Sequence, residues 1–218
     1  MTARVVPDGP AEREAAAAVL VAGGIVGLPT DTVYGIACDL HAPGGVERLF
    51  SAKARPADRA IMLLLDEPAQ APRIGVISGA ARRLAEAFWP GGLTLVVPRR
   101  SDVRLPDALT AGAPTIGLRA PDHPSPRALA RAVGPMPTTS ANVSGRPEAR
   151  DAAGIIEQLG GNVDLVLDGG PSAGGPASTV VDCTLDRPRI IRAGAIDPGR
   201  LADVLDEAGL PHDLAPAR

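Results

Sequence analysis

Residues 25–35 read IVGLPTDTVYG, a short apolar run bounded by glycine and proline, followed at once by Thr30, Asp31 and Thr32 and then by Tyr34, the only tyrosine in the chain. The run at 25–29 has the length and the boundaries of a buried strand. In open α/β sheets ligands gather beyond the C-terminal ends of strands, so the three polar residues stand where a site is expected. Taken alone, the segment also reads as a capped turn, because Thr and Asp readily hydrogen-bond local backbone.

Further apolar runs predict strands at 60–65 (AIMLLL), 93–98 (LTLVVP), 115–119 (TIGLR), 164–168 (DLVLD), 178–182 (STVVD) and 189–193 (RIIRA). Between them, helices fit residues 43–52, 78–88, 125–132 and 149–159, with Ser78 as an N-cap. An alanine-rich helix at 11–22 precedes all of these and stops at Gly23 and Gly24. Alternation of strands and helices points to α/β layers, and the strands in succession from 164 to 193 point to a mixed sheet. The segment GGPSAGGP at 169–176, flanked by strand signals, is expected as a loop at a cleft mouth.

At 218 residues the chain suits one domain, and 45% apolar with 22% charged residues is ordinary globular composition. A formal charge of −3 excludes a global basic field for nucleic acid or membrane, so any anion site is local. No segment has the roughly 18 uninterrupted apolar residues of a membrane span, and the N-terminus lacks a signal peptide's layout, so a cytoplasmic location is expected. Cys38 and Cys183 sit in separate apolar stretches and read as buried thiols. His41, His123 and His212 show no paired spacing, so no metal site is assigned.

The basic residues are twenty-one arginines and one lysine, Lys53. Arginine replaces lysine on a solvated surface, but its planar fork is no substitute where a compact ammonium must meet oxygens. Lys53 opens KARPADR at 53–59, where Pro56 ends any arriving helix and leaves Lys53, Arg55 and Arg59 on one loop, an anion site by charge. Residues 138–145, TTSANVSG, are dense in hydroxyls and amides, with Ser140 and Asn142 suited to phosphate or ribose. Arg119, Ser178, Thr179 and Arg192 stand at or near strand ends, where the sheet would hold them as a carboxylate or phosphate clamp. Neither GxxxxGK[ST] nor a helix-opening GxGxxG occurs, and no Ser-His-Asp order supports a covalent nucleophile.

PTDTVYG, the KxR of Lys53 and Arg55, WPGGLT at 89–94, LRAPDHP at 118–124, SANVSG at 140–145, and STVVD at 178–182 followed by Arg192 together resemble the YrdC/Sua5 family, the L-threonylcarbamoyladenylate synthases. The resemblance runs from about residue 12 to residue 196. It implies a single-domain YrdC-like α/β fold, a twisted mixed sheet flanked by helices with a concave positively charged cleft. Residues 1–10 would be an N-terminal extension, 11–196 the catalytic domain and 197–218 a tail with room for a short helix. The implied reaction joins L-threonine, bicarbonate or CO2, and ATP into threonylcarbamoyl-AMP and pyrophosphate. The product would pass to a tRNA threonylcarbamoyl-transfer complex that modifies the adenosine beside the anticodon, and weak RNA contact is a further expectation. Mg2+ would accompany ATP, with no acidic ligand set to hold it.

Carried over residue by residue, Lys53, Arg55, Ser140 and Asn142 match the family's KxR and SxN tetrad and would hold ATP, with Arg59 and Arg192 adding phosphate contacts. Thr32, Arg119, Thr138 and Ser178 match the positions for threonine, and Thr30 and Tyr34 would wall the same pocket. Two departures stand out: many relatives have lysine and proline where this chain has Arg59 and Ala60, and some have histidine where it has Leu64. The family's longer members carry a second domain after a linker, so the chain reads as the short form, with a closing loop of its own, 169–176, expected over the cleft. Three other readings share the fold: the carbamoyl-adenylating module of hydrogenase maturation proteins, a non-catalytic RNA-binding module, and a paralogue with another adenylation substrate. The 2% aromatic content leaves few stacking platforms for RNA.

Overall fold

The computed structural model describes residues 3–172 and 175–214. The strands are β1 (Arg4–Pro7), β2 (Val26–Leu28), β3 (Gly35–Ala37), β4 (Met62–Leu64), β5 (Leu93–Pro98), β6 (Thr115–Arg119), β7 (Met136–Ser140), β8 (Leu165–Asp168), β9 (Thr179–Asp182) and β10 (Arg189–Arg192). The helices are α1 (Pro10–Val21), α2 (Gly45–Ala52), α3 (Ala71–Ile74), α4 (Gly79–Phe88), α5 (Asp107–Thr110), α6 (Pro124–Val133), α7 (Ala152–Leu159) and α8 (Pro198–Glu207). One ten-stranded sheet runs β1-β8-β2-β3-β7-β4-β6-β5-β9-β10. Its pairs β1/β8, β2/β8, β4/β6 and β5/β9 are parallel and the other five antiparallel, which makes the sheet mixed as expected.

Local chemistry sets the helix ends. Ser78 Oγ accepts from Ala81 N at 3.2 Å and starts α4, as its position before the helix predicts. Asp151 accepts from Gly154 N at 2.8 Å and starts α7 at Ala152, three residues later than the expected 149. Pro10, Pro124 and Pro198 stand at the first position of α1, α6 and α8, where a missing N–H costs nothing.

Two apolar clusters sandwich the sheet. On one face Ala16 and Leu20 of α1 and Leu129 of α6 pack on Val26, Leu28, Ala37, Met136, Leu165 and Leu167. On the other, α2, α4, α7 and α8 bury a continuous core that includes Ile36, Leu63, Leu95, Leu118 and Val181. Side chains alternate along a strand, so the face under α1 and α6 continues through Thr138 and Ser140 of β7, Met62 and Leu64 of β4, Gly117 and Arg119 of β6, and Thr94 and Val96 of β5. No described helix covers that half of the face, and the cleft lies there.

Three strands escape the apolar pattern. Residues 4–7, within the expected extension 1–10, are edge strand β1, paired in parallel with β8. β3 is three residues long, and β7 carries Pro137 and three hydroxyl residues, so neither has a readable alternation. Pro137 is accommodated centrally because its carbonyl still accepts, from Cys38 N at 3.2 Å. The succession 164–193 also divides: β8 lies between β1 and β2, while β9 and β10 pair at the opposite end of the sheet. Beyond residue 196, α8 buries Leu201 and Leu205, and Leu214 is fully buried in the same core. The remaining residues 215–218 of the expected tail lie outside the described residues.

Leu118 is fully buried in the central strand β6, on the helix-covered face. Leu118→Ala is expected to cost about 2–5 kcal/mol. In urea unfolding this reads as a lower midpoint at unchanged slope.

Candidate functional site

The uncovered half-face encloses a cavity of about 230 Å³. It brings together Thr30, Thr32, Tyr34, Arg55, Arg119, Thr138, Ser140, Ser178 and Arg192, nine of the twelve residues expected to bind substrate. Lys53, Asn142 and Arg59 do not line it. Its floor is bare backbone at Gly117, where a Cβ would meet Met62 Cβ at 3.2 Å and Thr94 Cγ2 at 3.5 Å and take up cleft space. Among the described residues the lining has three arginines and no carboxylate.

Beyond β2 the segment 30–34 is both a turn and a wall. Thr30 Oγ1 donates to Val33 O at 2.6 Å and accepts from Thr32 N at 3.1 Å, which closes the turn. That turn holds Thr32 Oγ1 so that it accepts from Arg119 at 3.1 Å. Arg119 ends β6 and is 2% exposed. Its guanidinium also donates to Gly91 O at 3.0 Å and pairs with Asp31 at 2.6 Å, a residue without an assigned role in the sequence reading. Burial pulls the Arg119 pKa down, and Asp31 opposes the shift. Three of its five donors are thus engaged on protein, and two remain for a ligand carboxylate.

Tyr34 is fully buried, with its hydroxyl donating to Gly170 O at 2.6 Å and accepting from Gly169 N at 3.1 Å. Burial pushes its pKa up, so it stays a neutral donor that pins the start of the 169–176 loop. Residues 173 and 174 of that expected closing loop lie outside the described residues. Thr138 lines the cavity with its hydroxyl bonded to Met136 O at 3.0 Å.

Lys53 and Arg55 part company at Ala54, a non-glycine residue at φ 49°. Lys53 turns inward, 1% exposed, and donates to Ser140 O, to Ser140 Oγ at 3.4 Å and to Asn142 Oδ1 at 2.9 Å. Its ammonium thus contacts the SxN turn of Ser140 and Asn142 and joins two of the expected segments. Three ammonium protons meet three acceptors, which is the pairing a buried charge requires. Asn142 completes the turn by donating to Val143 O at 3.1 Å and Arg146 O at 2.6 Å. Burial, and then the neighbouring Arg55, push the Lys53 pKa down to about 7, against an opposing pull from Glu148.

Arg55 turns to the cavity and wraps the 59–60 backbone, donating to Arg59 O at 2.9 Å and Ala60 O at 2.8 Å. Arg59 itself is exposed and does not line the cavity, and its contribution to this geometry is its carbonyl. Across the cleft, Arg192 donates to Ser178 O at 2.8 Å and to Ser178 Oγ at 3.1 Å. Burial pulls the pKa of Arg55 down, with Arg59 and Arg192 adding like-charge repulsion. Such a cluster has the charge and the forked donors that suit a polyanion at the mouth, while Arg119 has the geometry that suits a single carboxylate deeper in.

Met62, Thr94, Val96 and Gly117 also line the cavity. They lie inside apolar strand runs, where only the alternation, once the uncovered face is known, marks them. Leu64 faces the same cavity with an apolar wall.

The family model Sua5_yciO_yrdC, described as telomere recombination, matches residues 18–194. The chain is 36% identical to the threonylcarbamoyl-AMP synthase of Bacillus subtilis over 87% of its length, and spans 55% of that protein. It is 34% identical to the threonylcarbamoyl-AMP synthase of Pseudomonas syringae pv. syringae over 79% of its length, and spans 92% of that protein. In structure it is similar to Pyrococcus abyssi Sua5 complexed with L-threonine, with a TM-score of 0.86 at 30% identity, covering 97% of this chain and 62% of the other.

From about pH 7 to the ordinary lysine value of 10.5, the unfolded chain keeps a proton on Lys53 that the folded chain has released. The destabilising cost of burying the ammonium is therefore full below that window and is relieved as pH rises through it. Urea unfolding at about pH 6.5 and about pH 9.5 checks this against Lys53→Met. The unsubstituted chain is expected to gain stability relative to the variant at the higher pH, and an unchanged difference would mean an ordinary lysine pKa.

Proposed function

The chain belongs to the Sua5/YciO/YrdC family, and from that premise we propose that it is a threonylcarbamoyl-AMP synthase, converting L-threonine, bicarbonate or CO2, and ATP into threonylcarbamoyl-AMP and pyrophosphate. The observation that carries this reading is one cavity with a buried carboxylate clamp, Arg119 beside Thr32, and a polyanion clamp, Arg55 and Arg192, at its mouth.

The threonine nitrogen adds to CO2, forming an N–C bond and losing a proton, and a carbamate oxygen then attacks the α-phosphorus while the bond to the β-phosphate oxygen breaks. Pyrophosphate leaves. None of these steps needs a protein nucleophile, so the chain's work is alignment, charge neutralisation and exclusion of water. Arg119 fixes the threonine carboxylate with its two remaining donors, and the hydroxyls of Thr30, Thr32, Thr138 and Ser178 frame the rest of the amino acid beside Tyr34. Arg55, Arg192 and Ser140 meet the phosphates, with Arg59 adding charge from outside. Lys53 and Asn142 act one step back, by holding the Ser140 turn. A lining without a carboxylate does not suit a protein-held divalent cation, so Mg2+ enters on the triphosphate as part of the substrate. The product is a mixed anhydride fit for transfer to a tRNA adenosine beside the anticodon by a separate transfer complex, in the cytoplasm.

Incubation with ATP, bicarbonate and a panel of amino acids, following pyrophosphate and the adenylate, tests the reading. Turnover is expected to require both L-threonine and bicarbonate, and its absence with every amino acid would overturn the proposal. Arg119→Gln is expected to raise KM for L-threonine roughly ten- to hundredfold, as loss of a charged hydrogen bond predicts. KM for ATP should change little, because the mouth arginines are untouched.

A further inference from the structure

Thr94 is the first cleft-facing residue of β5 and is 3% exposed, with a hydroxyl in the floor beside Gly117. It donates to Met62 Sδ at 3.4 Å and lies 2.8 Å from Ser178 Oγ. Ser178 Oγ in turn accepts from Arg192 at 3.1 Å.

Either hydroxyl could donate across the 2.8 Å contact, but only one arrangement of protons makes all three contacts hydrogen bonds at once. A guanidinium only donates, so Ser178 Oγ is an acceptor towards Arg192. A thioether only accepts, so in that arrangement the Thr94 proton goes to Met62. One proton remains for the 2.8 Å contact between the two hydroxyls, and it belongs to Ser178. The direction therefore runs from Arg192 through Ser178 and Thr94 to Met62. With its proton given to Thr94 and one lone pair taken by Arg192, Ser178 has a second lone pair left for the cleft.

We propose that Thr94 is a positioning residue that sets the Ser178 hydroxyl as a hydrogen-bond acceptor towards the bound amino acid. Ser178 then receives an N–H or O–H of the ligand and does not donate to its carboxylate, which is left to Arg119. The identity of that ligand as L-threonine rests on the function proposed above; the proton order does not. Segments 177–179 and 194–196 are tied independently of Thr94, through Ala195 N to Ala177 O at 2.9 Å and Thr179 Oγ1 to Ile196 O at 2.8 Å. Removing the Thr94 hydroxyl should thus free the Ser178 rotor without moving its backbone.

Steady-state kinetics of Thr94→Val, Thr94→Ser, Ser178→Ala and the double variant Thr94→Val/Ser178→Ala test the proposal. Thr94→Val is expected to raise KM for L-threonine about three- to tenfold, with kcat and KM for ATP within about twofold. Thr94→Ser should restore the original value, and Thr94→Val should add nothing once Ser178 is alanine. An effect that adds in full to that of Ser178→Ala, or a lowered Tm with unchanged KM, would overturn it. Neutron diffraction of the deuterated protein separates this from the functional reading. A deuteron on Ser178 Oγ directed at Thr94 is expected whatever the substrate, and a Thr94 deuteron directed at Ser178 refutes the proton order even if threonine is turned over.

Discussion

A sheet of ten strands has two faces to cover, and α1 and α6 cover only half of one. The rest of the site follows from that shortfall. Along β7, β4, β6 and β5 the residues that alternate with a helix-covered core face open space, so the same strands must be apolar on one side and chemically varied on the other. Leu63, Leu95 and Leu118 are core, while their strand neighbours Met62, Thr94, Gly117 and Arg119 are cleft. Residues far apart in sequence meet because strand order places them side by side, as Leu64 meets Arg119 and Thr94 meets Val180.

Charge is divided by depth within this cleft. One lysine is buried on three acceptors of a single turn, a task for a compact ammonium with rotatable protons that a planar guanidinium would not fill. Arginines take the positions that face the cavity, where a fork suits carboxylate or phosphate. The single lysine thus stands behind the cavity wall and holds Ser140 and Asn142 through its three hydrogen bonds. Ala54, held at positive φ, lets adjacent cationic positions serve opposite sides of the loop.

Much of this was readable from residue patterns, and the failures have physical causes. The apolar runs at 60–65, 93–98 and 115–119 became β4, β5 and β6 because their β-branched and leucine content suits buried strands. The motif segments converged because each lies at a strand end. What no pattern revealed was direction. Nothing in KARPADR tells that Lys53 turns inward and Arg55 outward, since a backbone dihedral at Ala54 decides it. Thr94 reads as one more β-branched residue in an apolar strand, and its hydroxyl gains meaning only from Ser178, brought beside it by β9. β7 is hidden by Pro137 and its hydroxyls, which argue against a central strand until the neighbouring pairing is seen.

The electrostatics of the empty and filled cleft are opposed. Arg59 and Arg192 both repel Arg55, and no carboxylate lines the cavity; the opposing charges, Asp58 towards Arg55 and Glu148 towards Arg192, stand outside the lining. Asp31 compensates Arg119 alone, from outside the lining. On the proposed function, a carboxylate, a carbamate and a triphosphate would bring negative charge into the lining, and their binding would relieve the repulsion on Arg55. On the same reading, departure of pyrophosphate would return the mouth to its unliganded charge while the adenylate keeps one phosphate and the carboxylate. Retention of the product would then depend on Arg119 and its hydroxyl neighbours more than on the mouth, and a Ser178 hydroxyl fixed as an acceptor would direct the donor side of the amino acid against that inner wall.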